Sequence, residues 1–363
     1  MIYQESYEQL LETCKQIALH RQKLAKPRVE EMVCDNIDLH TSNECLLAHT
    51  IGESLLKRID RKLLESKNIY VQQFDIPQIR LFYSMSQAVP LVRAGHHAAN
   101  QYLLAAMCNR RAATLVDIGI GKGVQVLALM DMLAEAGCAL EEVRVVGLDP
   151  DENNLRESGA AFREKEAELP FAVRYFPVQN LIENFTDRDY DTIREIGGDG
   201  ILVNSAFSFH HTLHPPGDSE IRTDILRKIA ELHPLILTLV EPHSHHDTED
   251  LPRRFHHSWQ HFGHVFKLID QSSIDETHKF TIKIKFFGRE IRDIFGVSDY
   301  FRSERHEPYE SWLLRLHRAK FQPVSSDTIK VELPDHFQWD ASEGLVRMSY
   351  DGVPIVSVMA YSL

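Results

Sequence analysis

The hydrophobic residues of this chain change their spacing part-way along the sequence. In the first part they recur at intervals of three and four, as in Leu10, Cys14 and Ile17, which is the spacing of one face of a helix. Ser42 precedes a second run of this kind and is a typical helix N-cap residue. The pattern therefore predicts a helical N-terminal region over residues 1–110.

From residue 111 onward, short continuous apolar runs alternate with amphipathic segments. Such runs are typical of strands in a parallel sheet that is covered on both faces. Five are predicted, at Thr114–Ile118, Val143–Leu148, Phe171–Phe176, Gly200–Asn204 and Leu235–Glu241. A helical insertion at about 247–319 precedes two more, at Phe321–Lys330 and Val353–Ser362. Residues 111–363 are thus predicted to form an α/β core with a mostly parallel sheet of about seven strands. The N-terminal region and the insertion are predicted to form a helical cap.

The loop after the first predicted strand is rich in glycine. Asp117 ends that strand, and Gly119, Gly121 and Gly123 follow at every second position before an apolar helix begins. Glycine permits tight turns and close approach of a ligand, and a helix N-terminus offers unpaired N–H groups to an anion. The spacing differs from the G-x-G-x-x-G of dinucleotide-binding proteins. It is similar to the first motif of Rossmann-type methyltransferases, so these four residues are predicted to bind S-adenosylmethionine. A plain strand-to-helix turn is the alternative.

The second predicted strand also ends in an acid, Asp149. In nucleotide-binding α/β folds an acid at this place accepts hydrogen bonds from ribose hydroxyls, so Asp149 is predicted to bind the cofactor ribose. The structural alternative is that Asp149 or Asp151 caps the following helix. Other residues predicted to lie near the cofactor are Gln179, Asn180, His96 and Asn100.

Candidate catalytic residues follow from the same geometry. Ligands of open parallel sheets bind outside the carboxyl ends of the strands. The fourth and fifth predicted strands end there with Asn204 and Glu241, and His210 and His243 follow them closely. Methyl transfer needs an oriented acceptor and, for a hydroxyl or a protonated amine, a base such as histidine. The structural alternatives are a strand-end hydrogen bond for Asn204, a buried structural role for His210 and a helix cap for Glu241.

Composition narrows the choice of ligands and partners. The 363 residues carry a formal net charge of −13, which argues against direct DNA binding because such binding depends on basic patches. Five scattered cysteines without a C-x-x-C pair indicate reduced thiols and a cytoplasmic location. No apolar run reaches the roughly 20 residues of a membrane span.

The histidine-rich segment 243–247 is a candidate metal site. His243, His245, His246 and Asp247 have suitable donor atoms. Adjacent histidines rarely point at one ion, however, and the segment has no H-x-x-x-H pair. No metal site is predicted.

Several segments, in chain order, resemble the GRAS family, which is known mainly for plant transcriptional regulators and also occurs in bacteria. Cys45–Asp60 resembles its first helical repeat region, Ala99–Gln101 its A-N-Q segment, and Val203–His210 its V-N-x-x-x-x-L-H segment. Leu237–Phe255 resembles its P-F-Y-R-E region. Phe286–Val324 is the most similar segment and contains G-x-E-I, R-H-E and W-x-x-R elements, in which Arg305, His306 and Glu307 are interpreted as a structural polar cluster.

Two departures from plant members influence the prediction of function. Plant members mostly replace the inner glycines of the first-strand loop, whereas this chain keeps Gly119 and Gly121. They also carry a long disordered N-terminal region, whereas Tyr7 already lies in the first predicted helix. The chain is therefore identified as a bacterial-type GRAS protein with a Rossmann-like, S-adenosylmethionine-dependent methyltransferase core that acts on a small or medium-sized acceptor. A homodimer is left open. The alternatives are a non-enzymatic regulator that works through protein partners and a sensor of a hormone-like ligand.

Overall fold

The computed structural model describes residues 2–35, 39–60, 75–198, 200–213 and 220–363. The chain divides into two compact units. The first, which we call the helical unit, comprises the described residues within Met1–Pro90, Leu213–Asp218 and His243–Pro308. The second, which we call the sheet unit, comprises those within Leu91–Thr212, Ser219–Pro242 and Tyr309–Leu363.

The secondary structure follows the alternation that the sequence predicts. The α-helices are α1 (Ile2–Ala18), α2 (Gln22–Asp35), α3 (Asn43–Ile59), α4 (Gln78–Ala88), α5 (Pro90–Met107), α6 (Val124–Glu135), α7 (Glu152–Glu166), α8 (Asp187–Gly197), α9 (Ile221–Ala230), α10 (Leu251–Gln271), α11 (Glu276–Thr281), α12 (Gly288–Gly296) and α13 (Tyr309–Arg318). The strands are β1 (Ala112–Ile118), β2 (Glu142–Leu148), β3 (Ala172–Val178), β4 (Ile201–Ala206), β5 (Leu237–Pro242), β6 (Gln322–Pro323), β7 (Phe337–Ser342), β8 (Leu345–Tyr350) and β9 (Val353–Ser362).

In the helical unit, α1, α2 and α3 pack against one another, and α10 packs against α1 and α3. Ser42 caps α3 as predicted, because its Oγ accepts a hydrogen bond from the Cys45 N–H at 3.1 Å. Arg254 of α10 is fully buried and donates to the carbonyl oxygens of Thr248 and Ile294. These bonds connect α10 to α12 and keep the buried guanidinium satisfied.

The sheet unit contains one mixed sheet with the strand order β3-β2-β1-β4-β5-β9-β8-β7, and β6 pairs with β9. β1 to β5 run parallel, and β9 is antiparallel to β5. The chain winds outward from β1 to β3 on one side and through β4 and β5 on the other. The strand order therefore reverses between β1 and β4, which is where doubly wound α/β sheets place their ligands.

The predicted α/β fold with a mostly parallel sheet is confirmed, and the differences lie at one edge. Within the described residues the sheet has nine strands rather than about seven. The strand predicted at Phe321–Lys330 is reduced to β6, and the sequence analysis missed β7 and β8. β7 exposes every residue after Phe337, so it lacks the apolar run that indicates a buried strand.

One face of the sheet packs against α8, α9 and α13. Alternate residues of the parallel strands point to this face, as expected for the two-residue period of a strand; among them are Val116, Ile118, Val203 and Leu239. Trp312 of α13 is fully buried there, with the Phe209 ring at 5.6 Å and the Arg222 guanidinium over its face at 5.5 Å. The buried position of Trp312 explains why α13, predicted as part of the insertion 247–319, belongs to the sheet unit.

The N-terminal helical region predicted over 1–110 is also divided. α1 to α4 belong to the helical unit, whereas α5 beyond Pro90 belongs to the sheet unit. Gly95 of α5 lies so close to the sheet that an added Cβ would be 2.9 Å from a Val240 methyl group. The sequence analysis predicted helices throughout residues 1–110, but hydrophobic periodicity does not show which unit a helix packs against.

One prediction about the cysteines is wrong. Cys108 and Cys138 are joined by a disulfide, although all five cysteines were predicted to be reduced. Cys108 follows α5 and Cys138 follows α6, and the Ala139 N–H donates to the Cys108 carbonyl oxygen at 3.2 Å. Tertiary structure brings together two residues that are 30 positions apart.

The described helices differ from membrane-spanning helices. Among the described ones, none combines the length with the apolar character that crossing a bilayer demands.

Candidate functional site

The glycine loop after β1 is shaped as predicted, but its glycines are needed for internal packing. Gly119 and Gly123 have φ of 79° and 71°, which favours glycine. A Cβ on Gly119 would lie 2.1 Å from Ser208 Oγ, and a Cβ on Gly123 would lie 2.7 Å from the Phe162 ring. The space beside these two glycines is thus filled by the protein's own side chains.

Asp149, the predicted ribose ligand, supports its own loop and the next helix. Its Oδ2 accepts from the Gly121 N–H at 3.0 Å, and its Oδ1 accepts from the Asp151 N–H at 2.9 Å and Asn154 Nδ2 at 3.1 Å. Burial raises the pKa of this carboxyl, and the three donors oppose that shift. Asp151 caps α7 by accepting a hydrogen bond from the Asn153 N–H. The helix cap that the sequence analysis gave as the structural alternative is therefore present.

Asp117 and Asn204 meet across adjacent strands at the reversal point of the sheet. They are register partners, and Asn204 Nδ2 donates to Asp117 Oδ1 at 2.6 Å. Asn204 Oδ1 accepts from Thr238 Oγ1 at 2.7 Å and from Gln125 Nε2 at 3.2 Å. Burial raises the pKa of Asp117 to about 7, while the Asn204 hydrogen bond opposes the shift.

Asn100, predicted to cover the cofactor, belongs to the same group. Its Nδ2 donates to the Gln125 carbonyl oxygen at 3.0 Å, and its Oδ1 accepts from Gln125 Nε2 at 3.2 Å. We call Asp117, Asn204, Thr238, Gln125 and Asn100 the strand-end network. Each of these five side chains is at most 7% exposed, and each bonds to another member. Thr238 and Gln125 were missed as site residues, because their partners are far away in sequence.

Two of the predicted catalytic residues form a buried pair. His210 Nδ1 lies 2.5 Å from Glu241 Oε2, and Glu241 Oε1 accepts from the Phe209 N–H at 3.0 Å. Arg222, which the sequence analysis did not single out, is fully buried and donates to the His210 carbonyl oxygen at 2.8 Å. His210 is 3% exposed and Glu241 is 1% exposed, as expected for a structural pair. His243 belongs to the helical unit, and its action alongside His210 stays a prediction.

The remaining predicted cofactor residues make local contacts. His96 of α5 packs edge-on against Phe207, and burial lowers its pKa to about 4. Gln179 donates to the Pro150 carbonyl oxygen at 3.3 Å, and the Asn180 Oδ1 accepts from the Leu181 N–H at 2.9 Å. The roles of these residues toward S-adenosylmethionine stay predictions.

These strand ends define a doubly wound α/β protein whose polar groups at the reversal point are bonded to one another. Comparison with known proteins identifies the family. The GRAS domain family matches residues 7–334, and the chain belongs to this family.

The relatives and the shared fold are those of plant GRAS proteins. The chain is 24% identical over 330 residues to the DELLA protein RGL3 of Arabidopsis thaliana, covering 87% of this chain and 61% of the relative. It is 26% identical over 241 residues to the Scarecrow-like protein 28 of Arabidopsis thaliana, covering 66% of this chain and 36% of the relative. The chain thus spans less than two thirds of these relatives. The structure of SCL7 from Oryza sativa shares its fold, with a TM-score of 0.74 and 19% identity over 89% of this chain and 90% of that chain.

The prediction of a methyltransferase is therefore wrong. These relatives are DELLA and Scarecrow-like proteins, and SCL7 shares the fold over most of both chains. The glycine loop and Asp149 were misleading because the same residues also build a strand-to-helix turn that satisfies its own hydrogen bonds. The bacterial type is unsupported, because these relatives are plant proteins. Binding of S-adenosylmethionine stays a prediction.

Proposed function

We propose that this chain is a non-enzymatic transcriptional regulator of the GRAS type that works through protein partners. The observation that carries this proposal is the family match over residues 7–334, together with relatives that are DELLA and Scarecrow-like proteins. DELLA and Scarecrow-like proteins are regulators of transcription.

The geometry at the strand ends supports the proposal. A methyltransferase needs polar groups that are available to an acceptor. Here the Asn204 amide bonds to Asp117 and Thr238, and Glu241 bonds to His210 and the Phe209 N–H. In the proposed function the Rossmann-like sheet is a rigid scaffold rather than a catalytic framework. A fold by itself does not determine function, and these bonds favour the structural role.

The charge of the chain favours action through partners over direct DNA contact. A net charge of −13 opposes approach to the phosphate backbone. The proposed regulator reaches promoters by binding a protein that itself binds DNA. This role places the working protein in the nucleus rather than in the cytoplasm predicted from its cysteines.

A tethering assay tests this function. The full chain is fused to a heterologous DNA-binding domain in plant protoplasts that carry a reporter gene. Reporter output should change relative to the DNA-binding domain alone, because the chain recruits partners that act on transcription. The purified, unfused chain should leave a DNA duplex unshifted in a gel.

A mild substitution in the sheet unit serves as a control for the behaviour of the fusion protein. The Ser205→Ala variant removes one long hydrogen bond, from Ser205 Oγ to the Ile118 carbonyl oxygen at 3.3 Å, and should act like the wild type. An unchanged reporter with a well-expressed fusion would contradict the proposal. Turnover of S-adenosylmethionine by the pure chain would contradict the non-enzymatic part.

A further inference from the structure

A buried group of two carboxylates and an imidazole lies inside the helical unit. Glu290 is on α12, and Glu304 and His306 are in the non-helical segment that follows it. Their exposed fractions are 6%, 0% and 2%. One ligand atom from each side chain, a carboxylate oxygen or an imidazole nitrogen, lies within 4.8 Å of the others. We call these three residues the carboxylate cluster.

Glu290 is the member whose charge is unmet. Within the described ranges, no residue donates a hydrogen bond to its carboxylate or forms an ion pair with it. The carboxylates of Glu304 and Asp293 repel it. Glu304 Oε2 itself lies 3.1 Å from His306 Nε2, so these two members of the cluster contact each other. A buried ionised carboxylate without a partner is strongly unfavourable. Because its oxygen points toward Glu304 and His306, a cation among the three would supply the missing partner.

Neighbouring charges do not meet this need. Asp293 accepts from the N–H groups of Ser303 at 2.9 Å and Glu304 at 2.7 Å, so its own carboxylate is satisfied. The buried guanidinium of Arg302 donates to the carbonyl oxygens of His246 at 2.9 Å and Glu304 at 2.7 Å. Arg302 therefore stabilises backbone groups rather than Glu290.

Two further imidazoles border the cluster. The rings of His246 and His261 lie 4.6 Å and 5.7 Å from the His306 ring, measured between centroids. Their Nδ1 atoms are buried and have no hydrogen-bond partner among the described residues. Buried polar atoms in native proteins nearly always have a partner. Two further imidazole nitrogen atoms without a hydrogen-bond partner among the described residues thus lie beside the carboxylate cluster.

We propose that Glu290, Glu304 and His306 bind a divalent transition-metal ion, with Zn²⁺ as the cation that fits best. Two carboxylate oxygens and one imidazole nitrogen, without a thiolate, form a donor set that suits zinc. A 2+ charge balances the two carboxylates and removes their repulsion. The ion would connect α12 to the segment of Glu304 and His306, so its role is structural. This site is independent of the proposed regulatory function.

The experiment uses the full chain, prepared without a histidine tag because a tag would itself bind metal. Elemental analysis of the purified protein should find about one zinc ion per chain, as for a structural site. The chelator-stripped protein is then titrated with Zn²⁺ in a calorimeter and with Co²⁺ in a spectrophotometer. Saturable binding and visible d–d bands of Co²⁺ are expected.

Three glutamine variants locate the site. Glu290→Gln and Glu304→Gln remove a donor with little change in volume, and each should weaken zinc affinity by more than about 100-fold, beyond the loss typical of residues that only support a ligand. Glu307→Gln is the matched control, because Glu307 is a buried glutamate of the same segment outside the donor set. It should keep wild-type affinity.

Folding is followed separately so that the outcome is unambiguous. Stripped Glu290→Gln should melt at the same temperature as stripped wild type or higher, because the variant no longer buries an unmet charge. Zinc should raise the melting temperature of the wild type and leave that of Glu290→Gln unchanged. Absence of saturable binding by the stripped wild type would overturn the proposal and leave a shared proton as the partner of Glu290. Equal zinc binding in all three variants would also overturn it, since the ion would then lie elsewhere.

Discussion

The strand-end network of the sheet unit and the carboxylate cluster of the helical unit are both buried and polar, and they differ in how far their bonding needs are met. In the network, the Asn204 amide bonds to Asp117, Thr238 and Gln125. In the cluster, Glu290 faces other carboxylates without a donor among the described residues. The residues that the sequence analysis predicts to bind a ligand are thus bonded to one another. Glu290, for which the sequence analysis predicts no role, is the residue whose carboxylate is repelled by its neighbours. Chemical type alone does not distinguish the two cases; hydrogen-bond partners do.

The largest expected effect comes from removing the centre of the strand-end network. Asn204→Ala should lower the free energy of unfolding by about 3–5 kcal/mol, because the Asp117 carboxylate and the Thr238 hydroxyl lose their partner in a buried place. Urea unfolding measures the change. Ser205→Ala, at an equally buried neighbouring position, should cost about 1 kcal/mol or less. Equal losses would show that the network is not a cooperative unit.

A second substitution tests whether the glycine loop is shaped by packing. Gly119→Ala should destabilise the protein by about 2–4 kcal/mol, because the new methyl group meets Ser208 at a residue with positive φ. Gly137→Ala is the control: Gly137 also has positive φ, but nothing lies within 4 Å of its added Cβ. It should cost only about 1–2 kcal/mol.

The steric part of that cost can be isolated in a double variant. In a Ser208→Gly background, Gly119→Ala should cost no more than Gly137→Ala, as measured by urea unfolding. If Gly119→Ala lowers the free energy of unfolding as much in that background as in the wild type, then the clash with Ser208 is not the reason for a glycine at position 119.

The pH dependence of stability tests the burial of Asp117. Its pKa is about 7 in the folded protein, whereas an unfolded aspartate has a pKa of about 3.9, so the folded state binds more protons between these values. Stability from this group therefore rises as the pH falls from 8 to 5, by about 2–3 kcal/mol relative to Asp117→Asn. The comparison stops at pH 5, because His96 has a pKa of about 4 and begins to protonate below that pH. Parallel stability curves for wild type and variant would contradict the raised pKa.

The smallest expected effect is that of S-adenosylmethionine. A ribose would have to displace the bonds from Gly121, Asp151 and Asn154 to Asp149, so binding should be millimolar or weaker. At a ligand concentration of about 1 mM the stabilisation should be at most about 0.4 kcal/mol. Differential scanning fluorimetry and calorimetry measure both quantities. Micromolar, saturable binding that Asp149→Asn weakens would show that Asp149 is a cofactor ligand. The strand ends of the sheet unit would then also be available to a ligand, contrary to the comparison drawn above.

The sequence by itself determined the α/β core and the family. Strands buried on both faces must be apolar throughout, and for this reason β1, β2 and β9 begin and end within two residues of their predicted bounds. The Ser42 cap could also be predicted from the sequence, because capping depends on residues that are close together in the chain. β7 was not, because its exposed residues carry no periodic apolar signal.

Only the tertiary structure decided which groups meet. Three contacts depend on how distant segments pack. Ser208 fills the space beside Gly119, Thr238 bonds to Asn204, and Cys108 pairs with Cys138. A side chain shows its donors and acceptors in the sequence, but whether they are consumed inside the protein or remain for a ligand depends on partners supplied by other strands and helices. For this reason the sequence located the polar strand ends correctly and could not show that they were already satisfied.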